Sequence, residues 1–398
     1  MNVMTHVILS SNSLAGKTIV LGITGSIAAV KCVELARELM RHGASVHAVM
    51  TKEAQKIIHP EAMRYATGNP VITEITGCVE HVEFCGVGGK AHFLLVAPCT
   101  ANTIGKIAHG IDDTPVTTFA TTAFGSDIPI MIVPAMHESM YNHPIVIENI
   151  GKLTELGVEF VNPVVEEGAA KIAGKEEIVL RVERALGGKK LAGKRILITG
   201  GATAEAVDPI RLLTNRASGK TGIELALEAF RRGADATLVH RGCIGIQGIC
   251  EFNVESAQDM AETVLGELSK GYDIFISAAA ISDFTVTPAA EKIKSGKVVT
   301  LTLRPAPKLI RQARQKYPRL RIIGFKAETN VTEDELIKRA RESMEKSNLS
   351  MVVANDVSKG GMGTEENDVY IIDSDVKHIS GTKRYIAAEI MDKIEAMF

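Results

Sequence analysis

The residues able to do chemistry in this chain stand in short polar runs that follow apolar ones. Thr24-Gly25-Ser26-Ile27-Ala28 is the first of these. Its small residues let backbone N–H groups and a hydroxyl approach an anion where a helix begins. A tight strand-to-helix connection has the same composition, so this run alone does not separate packing from phosphate binding. Ala97-Pro98-Cys99-Thr100-Ala101-Asn102-Thr103, Thr117-Thr118 and Pro134-Ala135-Met136-His137-Glu138-Ser139-Met140 add hydroxyls, an amide and an imidazole at further strand ends. Several such loops together suit a phosphate and a flat ring. His81, within Glu80-His81-Val82-Glu83-Phe84, carries a group that moves protons near neutral pH, although a lone histidine is more often a surface or core residue.

In the second half, the run from Thr199 to Gly222 holds glycines, hydroxyls and cations ahead of a helix expected from Thr221, a composition suited to phosphate. Ala217-Ser218-Gly219-Lys220-Thr221 contains Gly-Lys-Thr, but Thr214 stands where a P-loop needs its first glycine, and the preceding strand lies too far upstream. Gly200-Gly201-Ala202-Thr203 likewise lacks the full dinucleotide-binding glycine pattern. Three later runs end apolar segments with polar groups: Ser277-Ala278-Ala279-Ala280-Ile281-Ser282-Asp283, Gly324-Phe325-Lys326-Ala327-Glu328 and Val353-Ala354-Asn355-Asp356. Glu291-Lys292-Ile293-Lys294 places two cations in a loop or strand start, which solvated surface lysines would equally explain.

Parallel α/β units are the elements that hold such runs. Leu14-Ala-Gly-Lys-Thr-Ile-Val-Leu-Gly-Ile-Thr-Gly25 returns as Leu191-Ala-Gly-Lys-Arg-Ile-Leu-Ile-Thr-Gly200, and a Gly-Ala corner follows a helical pattern in each half. The fold class is therefore α/β, with two doubly wound, largely parallel sheets. Ile27, Val30, Val33, Ala36 and Leu39 or Met40 recur at helical spacing, and predict a stripe packed on the first sheet. Continuous apolar runs predict buried strands at 93–97, 130–133, 196–199, 274–277, 322–325 and 351–354. The glycine- and lysine-rich stretch after Leu186 sets the expected domains at 1–185 and 186–398. Ligands of open parallel sheets bind beyond the carboxyl ends of strands, where these polar runs fall.

Composition excludes other classes. Forty-five basic residues balance 47 acidic ones for a net charge of −2, Trp is absent and aromatics are 4%, so nucleic acid is not an expected partner. No apolar run approaches a bilayer span of roughly 18 residues, and the first residues lack signal-peptide form, so a cytoplasmic location is expected. The six cysteines are sparse and read as reduced thiols. Cys78-x-x-His81-x-x-x-Cys85 lacks a fourth ligand at zinc spacing, and no residue is assigned to a metal.

Gly22-Ile-Thr-Gly-Ser-Ile-Ala-Ala-Val-Lys31, Ala97-Pro-Cys-Thr-Ala-Asn102 and Pro134-Ala-Met136 resemble the flavin-containing cysteine decarboxylases, above all the phosphopantothenoylcysteine decarboxylases. The resemblance implies a flavodoxin-like domain that binds FMN through Gly25, Ser26, Thr51, Thr100 and Thr117, with His81 as the catalytic histidine. It implies a decarboxylation that is redox-neutral overall. Two departures stand out. His137 replaces the family's asparagine, and can still donate a hydrogen bond to a carboxylate. The stretch matching the family's mobile flap, Glu166 to Ala173, contains no cysteine, which leaves Lys171 as a candidate acid.

Nearly the whole second half resembles the phosphopantothenate–cysteine ligases. That likeness implies activation of the 4'-phosphopantothenate carboxylate by CTP as an acyl cytidylate, with pyrophosphate released and cysteine then attacking. It makes Asn215 the acyl-cytidylate contact and Lys292 the triphosphate lysine. Ser277, Ala278, Ala279, Asp283, Pro307, Lys308, Leu309, Ile310, Phe325 and Lys346 become nucleotide-pocket positions, and Mg2+ is expected with the triphosphate. The combined expectation is a bifunctional enzyme of coenzyme A synthesis, made of trimeric decarboxylase and dimeric ligase contacts, up to a dodecamer. An FMN-binding regulatory first domain beside an active ligase is the alternative, and a pair of dehydrogenase folds is a third.

Overall fold

A computed structural model describes residues 11–166, 168–296 and 298–398, which divide into two compact units, Met1–Gly187 and Gly188–Phe398. In the first unit, β1 (Thr18–Ile23), β2 (Ser45–Met50), β3 (Phe93–Cys99), β4 (Ile130–Pro134) and β5 (Glu159–Phe160) form one parallel sheet in the order β2-β1-β3-β4-β5. Alternation along the strands feeds two cores. Ile19, Leu21 and Ile23 join Phe93, Leu95 and Ala97 on one face, while Val20, Leu94 and Val96 join the other. Each face is covered by helices, which is why these strands read as unbroken apolar runs. Helix α1 (Cys32–Arg41) covers the first face, and α2 (Ala101–Ala108) with α3 (Pro115–Phe124) covers the second.

The expected first stripe is corrected at its start. Ile27 and Val30 are 77% and 53% exposed, because residues Ile27–Lys31 form a 3₁₀ turn and the α-helical register begins only at Cys32. The buried positions of α1 are Cys32, Leu35, Ala36, Leu39 and Met40. Each expected strand is present, with its ends extended by a few residues at most.

In the second unit, β6 (Arg195–Gly200), β7 (Asp235–His240), β8 (Cys250–Asn253), β9 (Ile274–Ser277), β10 (Arg321–Glu328) and β11 (Met351–Asp356) are parallel. Two antiparallel strands, β12 (Glu366–Ile372) and β13 (Val376–Thr382), extend one edge, giving the order β8-β7-β6-β9-β10-β11-β12-β13. Helices α4 (Lys220–Arg231), α5 (Leu309–Lys316) and α6 (Glu333–Ser347) follow β6, β9 and β10 in the chain. In both sheets strand order reverses once, between β1 and β3 and between β6 and β9. Those switch points are where an open α/β sheet leaves a crevice at its carboxyl edge. No described helix is long and apolar enough to cross a membrane.

Candidate functional sites

A threonine hydroxyl locks each switch point. In the first unit Thr24, which follows β1, donates from Oγ1 to the Pro98 carbonyl at 2.8 Å and accepts from the Thr100 N–H at 3.0 Å. The loops after β1 and β3 are thereby fixed to one another. In the second unit Thr199 accepts the Ala279 N–H on Oγ1 at 3.3 Å, and Thr203 accepts the Ser282 N–H at 2.9 Å. Both locking threonines, Thr24 and Thr199, are buried, so the strand-end loops meet as fixed walls.

A cavity of about 680 Å3 opens beside the first lock, lined in part by Gly25, Thr51, Thr100, Thr103, Thr114 and Thr118. Thr51, Thr100 and Thr114 cap helix starts, accepting the N–H of Ala54, Thr103 and Thr117. A capping hydroxyl accepts with its oxygen and keeps a hydrogen to donate, as at Thr51, whereas the hydroxyls of Thr100 and Thr114 also meet those of Thr103 and Thr117 at 3.2 and 2.9 Å. Gly25 leaves the backbone bare: a Cβ there would stand 2.5 Å from the Glu53 Cβ. Thr117, expected in the same role, is 1% exposed, and its hydroxyl donates to the Thr114 carbonyl at 3.0 Å while accepting the Thr114 N–H at 3.0 Å. It closes a capping box, and its neighbours Thr114 and Thr118 line the cavity instead. Asn102 and Lys106 also line it; the first lay within the quoted motif, and a helical reading one turn onward would have found the second.

Gly25 and Thr100 also border a second cavity, of about 550 Å3, lined by Ser26, Met136, His137 and Lys171 among others. A short antiparallel ribbon builds its far side, pairing Met136 with Ala170, His137 with Ala169 and Val164 with Lys171. The flap stretch thus lies against the Pro-Ala-Met-His run. His81 lines neither cavity of its own unit. It sits half-buried on a short helix, and its buried Nδ1 has no hydrogen-bond partner among the described residues.

In the second unit a cavity of about 320 Å3 is lined by Ala278, Ala279, Asp283 and Phe325 of the expected residues. Ser218 to Gly222, Lys326 and Asn355 come to its wall from the polar runs already marked in the sequence, whereas Gly361 to Gly363, Asn367 and Lys383 were not anticipated. Close packing of α4 on β6 shapes one side, since a Cβ on Gly222 would stand 2.6 Å from the Gly200 Cα. Asn215 is brought to the rim by an antiparallel ribbon, Ala204–Ala206 with Leu212–Thr214, and donates from Nδ2 to the Ala280 carbonyl at 2.9 Å. A second ribbon, Phe284–Val286 with Leu303–Pro305, carries Asp283 to Lys308, and the two form an ion pair.

The other nucleotide-pocket candidates divide. Ser277 ends β9 and is buried; Pro307 and Lys308 are exposed; Leu309 is buried with its side chain in the core, against which Ile310 also packs. Lys292 is exposed in the loop between the two strands of the second ribbon, outside the cavity wall. Lys346 is not brought to the cavity. It lies at the carboxyl end of α6, which leads into the amino end of β11, at the opposite edge of the sheet. No group of three or more His, Cys, Asp or Glu side chains arranged for a metal occurs among the described residues. Burial pushes the thiols of Cys32 and Cys85 up to about 12 and that of Cys99 higher still, so these are inert packing groups.

Comparison with known proteins adds family to geometry. The Flavoprotein family model matches residues 8–187, and that of the DNA/pantothenate metabolism flavoprotein C-terminal domain matches residues 191–397. The coenzyme A biosynthesis bifunctional protein of Thermococcus kodakarensis is 54% identical over 394 residues, 97% of each chain. Its counterpart in Methanocaldococcus jannaschii is 41% identical over 393 residues, 97% of this chain and 95% of that one. Among solved structures, the C-terminal domain of a coenzyme A biosynthesis bifunctional protein aligns with a TM-score of 0.44 and 31% identity, covering 53% of this chain and 98% of that one. Fold and family models together define a flavoprotein unit joined to a pantothenate-metabolism unit. The chain belongs to the family of coenzyme A biosynthesis bifunctional proteins.

Proposed function

We propose that this chain makes 4'-phosphopantetheine in two steps. Residues 186–398 join 4'-phosphopantothenate to cysteine at the expense of CTP, and residues 1–185 then decarboxylate the product with the help of FMN. The observation that carries the reading is the repeated one: each unit opens a polar cavity at its sheet's switch point, walled by a threonine-locked pair of loops.

FMN fits the first unit, because Gly25, where a Cβ would collide with Glu53, lines its cavities together with the hydroxyls of Ser26, Thr51 and Thr100. Those residues would hold it, and bound FMN would supply a two-electron sink that eases loss of the substrate carboxylate. His137 orients that carboxylate by donating a hydrogen bond. His81 handles the thiol proton. Its unpartnered Nδ1 and its absence from the walls of the two cavities favour a trimer in which it serves a neighbouring copy.

For the ligase step a carboxylate is a poor electrophile until its oxygen joins a good leaving group. Asn215 holds the acyl cytidylate at the cavity rim, and Lys292 places fixed positive charge on the triphosphate, which arrives with Mg2+. Cysteine's amine then attacks the acyl carbon. The enzyme is cytoplasmic, and its ligase units pair as dimers.

The test supplies the full chain with 4'-phosphopantothenate, cysteine, Mg2+ and each nucleoside triphosphate, and follows pyrophosphate and carbon dioxide separately. Asn215→Ala abolishes pyrophosphate release, and His81→Ala abolishes only carbon dioxide. Pyrophosphate without carbon dioxide from the unaltered chain discards the decarboxylase and leaves a flavin-binding partner to the ligase.

A further inference from the structure

The loop that carries Lys292 leaves the second ribbon at Val286 and rejoins it at Leu303. A loop of that length orders a side chain only if something outside it holds the backbone. The hold is visible one residue beyond Lys292. Ile293 donates its N–H to Asp208 Oδ2 at 3.0 Å, and its carbonyl accepts from the Arg211 guanidinium at 3.1 Å. These bonds fix the peptide planes on both sides of Ile293, and with them the direction in which the Lys292 chain leaves the backbone. Three residues upstream the Ala289 N–H donates to the Val207 carbonyl at 2.9 Å, so the same turn grips the loop twice.

Asp208 is built for that task. Its side chain is fully enclosed, and its other oxygen accepts the N–H groups of Ile210 and Arg211 at 2.9 and 2.8 Å. The Arg211 guanidinium that reaches the Ile293 carbonyl also pairs with Asp208. Burial works against ionisation here. The N–H groups of Ile210, Ile293 and Arg211 and the Arg211 guanidinium overcome it and bring the carboxyl down to about 2, so the clamp stays charged across the neutral range.

We propose that Asp208, with Arg211, is a positioning residue of the ligase that acts through Lys292, by holding the loop backbone that carries it. The inference rests on Lys292 being the triphosphate lysine. The experiment is a double-mutant cycle in the full chain, with Asp208→Asn and Lys292→Ala made singly and together, reading KM for CTP and kcat of pyrophosphate release. Asp208→Asn is expected to lower kcat/KM for CTP by about tenfold, with amide exchange at Ile293 accelerated, and to add less than about twofold once Lys292 is alanine.

If Lys292→Ala is impaired and Asp208→Asn is not, the clamp idea falls. If the two losses multiply, Asp208 acts structurally and the idea falls as well. An unimpaired Lys292→Ala instead overturns the triphosphate assignment itself, and the inference with it. Should Asp208→Asn not fold, Arg211→Lys takes its place in the cycle. It keeps a cation beside Asp208 while losing the bridge to the Ile293 carbonyl, and the same coupling with Lys292 is required of it.

Discussion

One or two threonine hydroxyls at each switch point tie together segments from neighbouring strands. Thr24, just after β1, and Thr199, near the end of β6, each tie the end of a unit's first strand to the loop after the strand beside it. The residues such walls present are then judged by what space remains. Gly25 is the sharpest case, because a methyl there collides with the Glu53 Cβ at 2.5 Å and lies 3.4 Å from the Glu53 backbone. Gly25→Ala is therefore expected to weaken flavin retention by roughly tenfold or more, since the wall must shift by a good part of an ångström. Flavin absorbance of the purified variant against added FMN measures this. Unchanged retention would remove Gly25 from the cradle. The same logic explains Thr117: its sequence neighbourhood marks it as a polar donor, but the helix start claims its hydroxyl before any ligand can.

At the scale of elements, much of both sheets was legible because both faces of each are covered. Strands such as β3 and β9 are unbroken apolar runs, and their polar ends name the loops that reach the cavities. What escaped the sequence has a physical reason in each instance. Ile27 and Val30 keep a spacing of three but fall on a 3₁₀ turn, where they share a face that is exposed, and the buried α-helical stripe begins only at Cys32. Strands β12 and β13 lie at a sheet edge, where Glu366–Ile372 mixes exposed and buried positions and carries no continuous run. The ribbons that bring Asn215, Asp283 and His137 to their rims are two or three residues long, too short for any periodicity. Lys346 became a nucleotide-pocket candidate through the family resemblance alone, and helix direction places it at the opposite edge of the sheet from the cavity. The covered faces also set stability. Phe119 of α3 is fully buried in the second core of the first unit, so Phe119→Ala is expected to cost about 3–5 kcal/mol. Denaturant unfolding followed by flavin release would show it. A loss below about 1 kcal/mol would mean that this core collapses around the gap.

Over the whole molecule the same plan is used twice, with separate cores on separate sheets. Units of this kind unfold by their own thermodynamics, and a ligand that binds only one native unit raises only that unit's transition. Calorimetry of the full chain is expected to resolve two transitions. FMN moves the one belonging to Met1–Gly187, and CTP with Mg2+ moves the one belonging to Gly188–Phe398. A single transition displaced by both ligands would show that the units are thermodynamically coupled.

Gly25 and Thr100 each face two chambers of the first unit at once. A partition so thin has no private side. A substitution at either of these two residues recuts both chambers, so a drift there in what the larger room accepts must be matched by what the smaller room accepts. An inhibitor that straddles the partition would find its escape mutations confined to residues whose loss harms both rooms together.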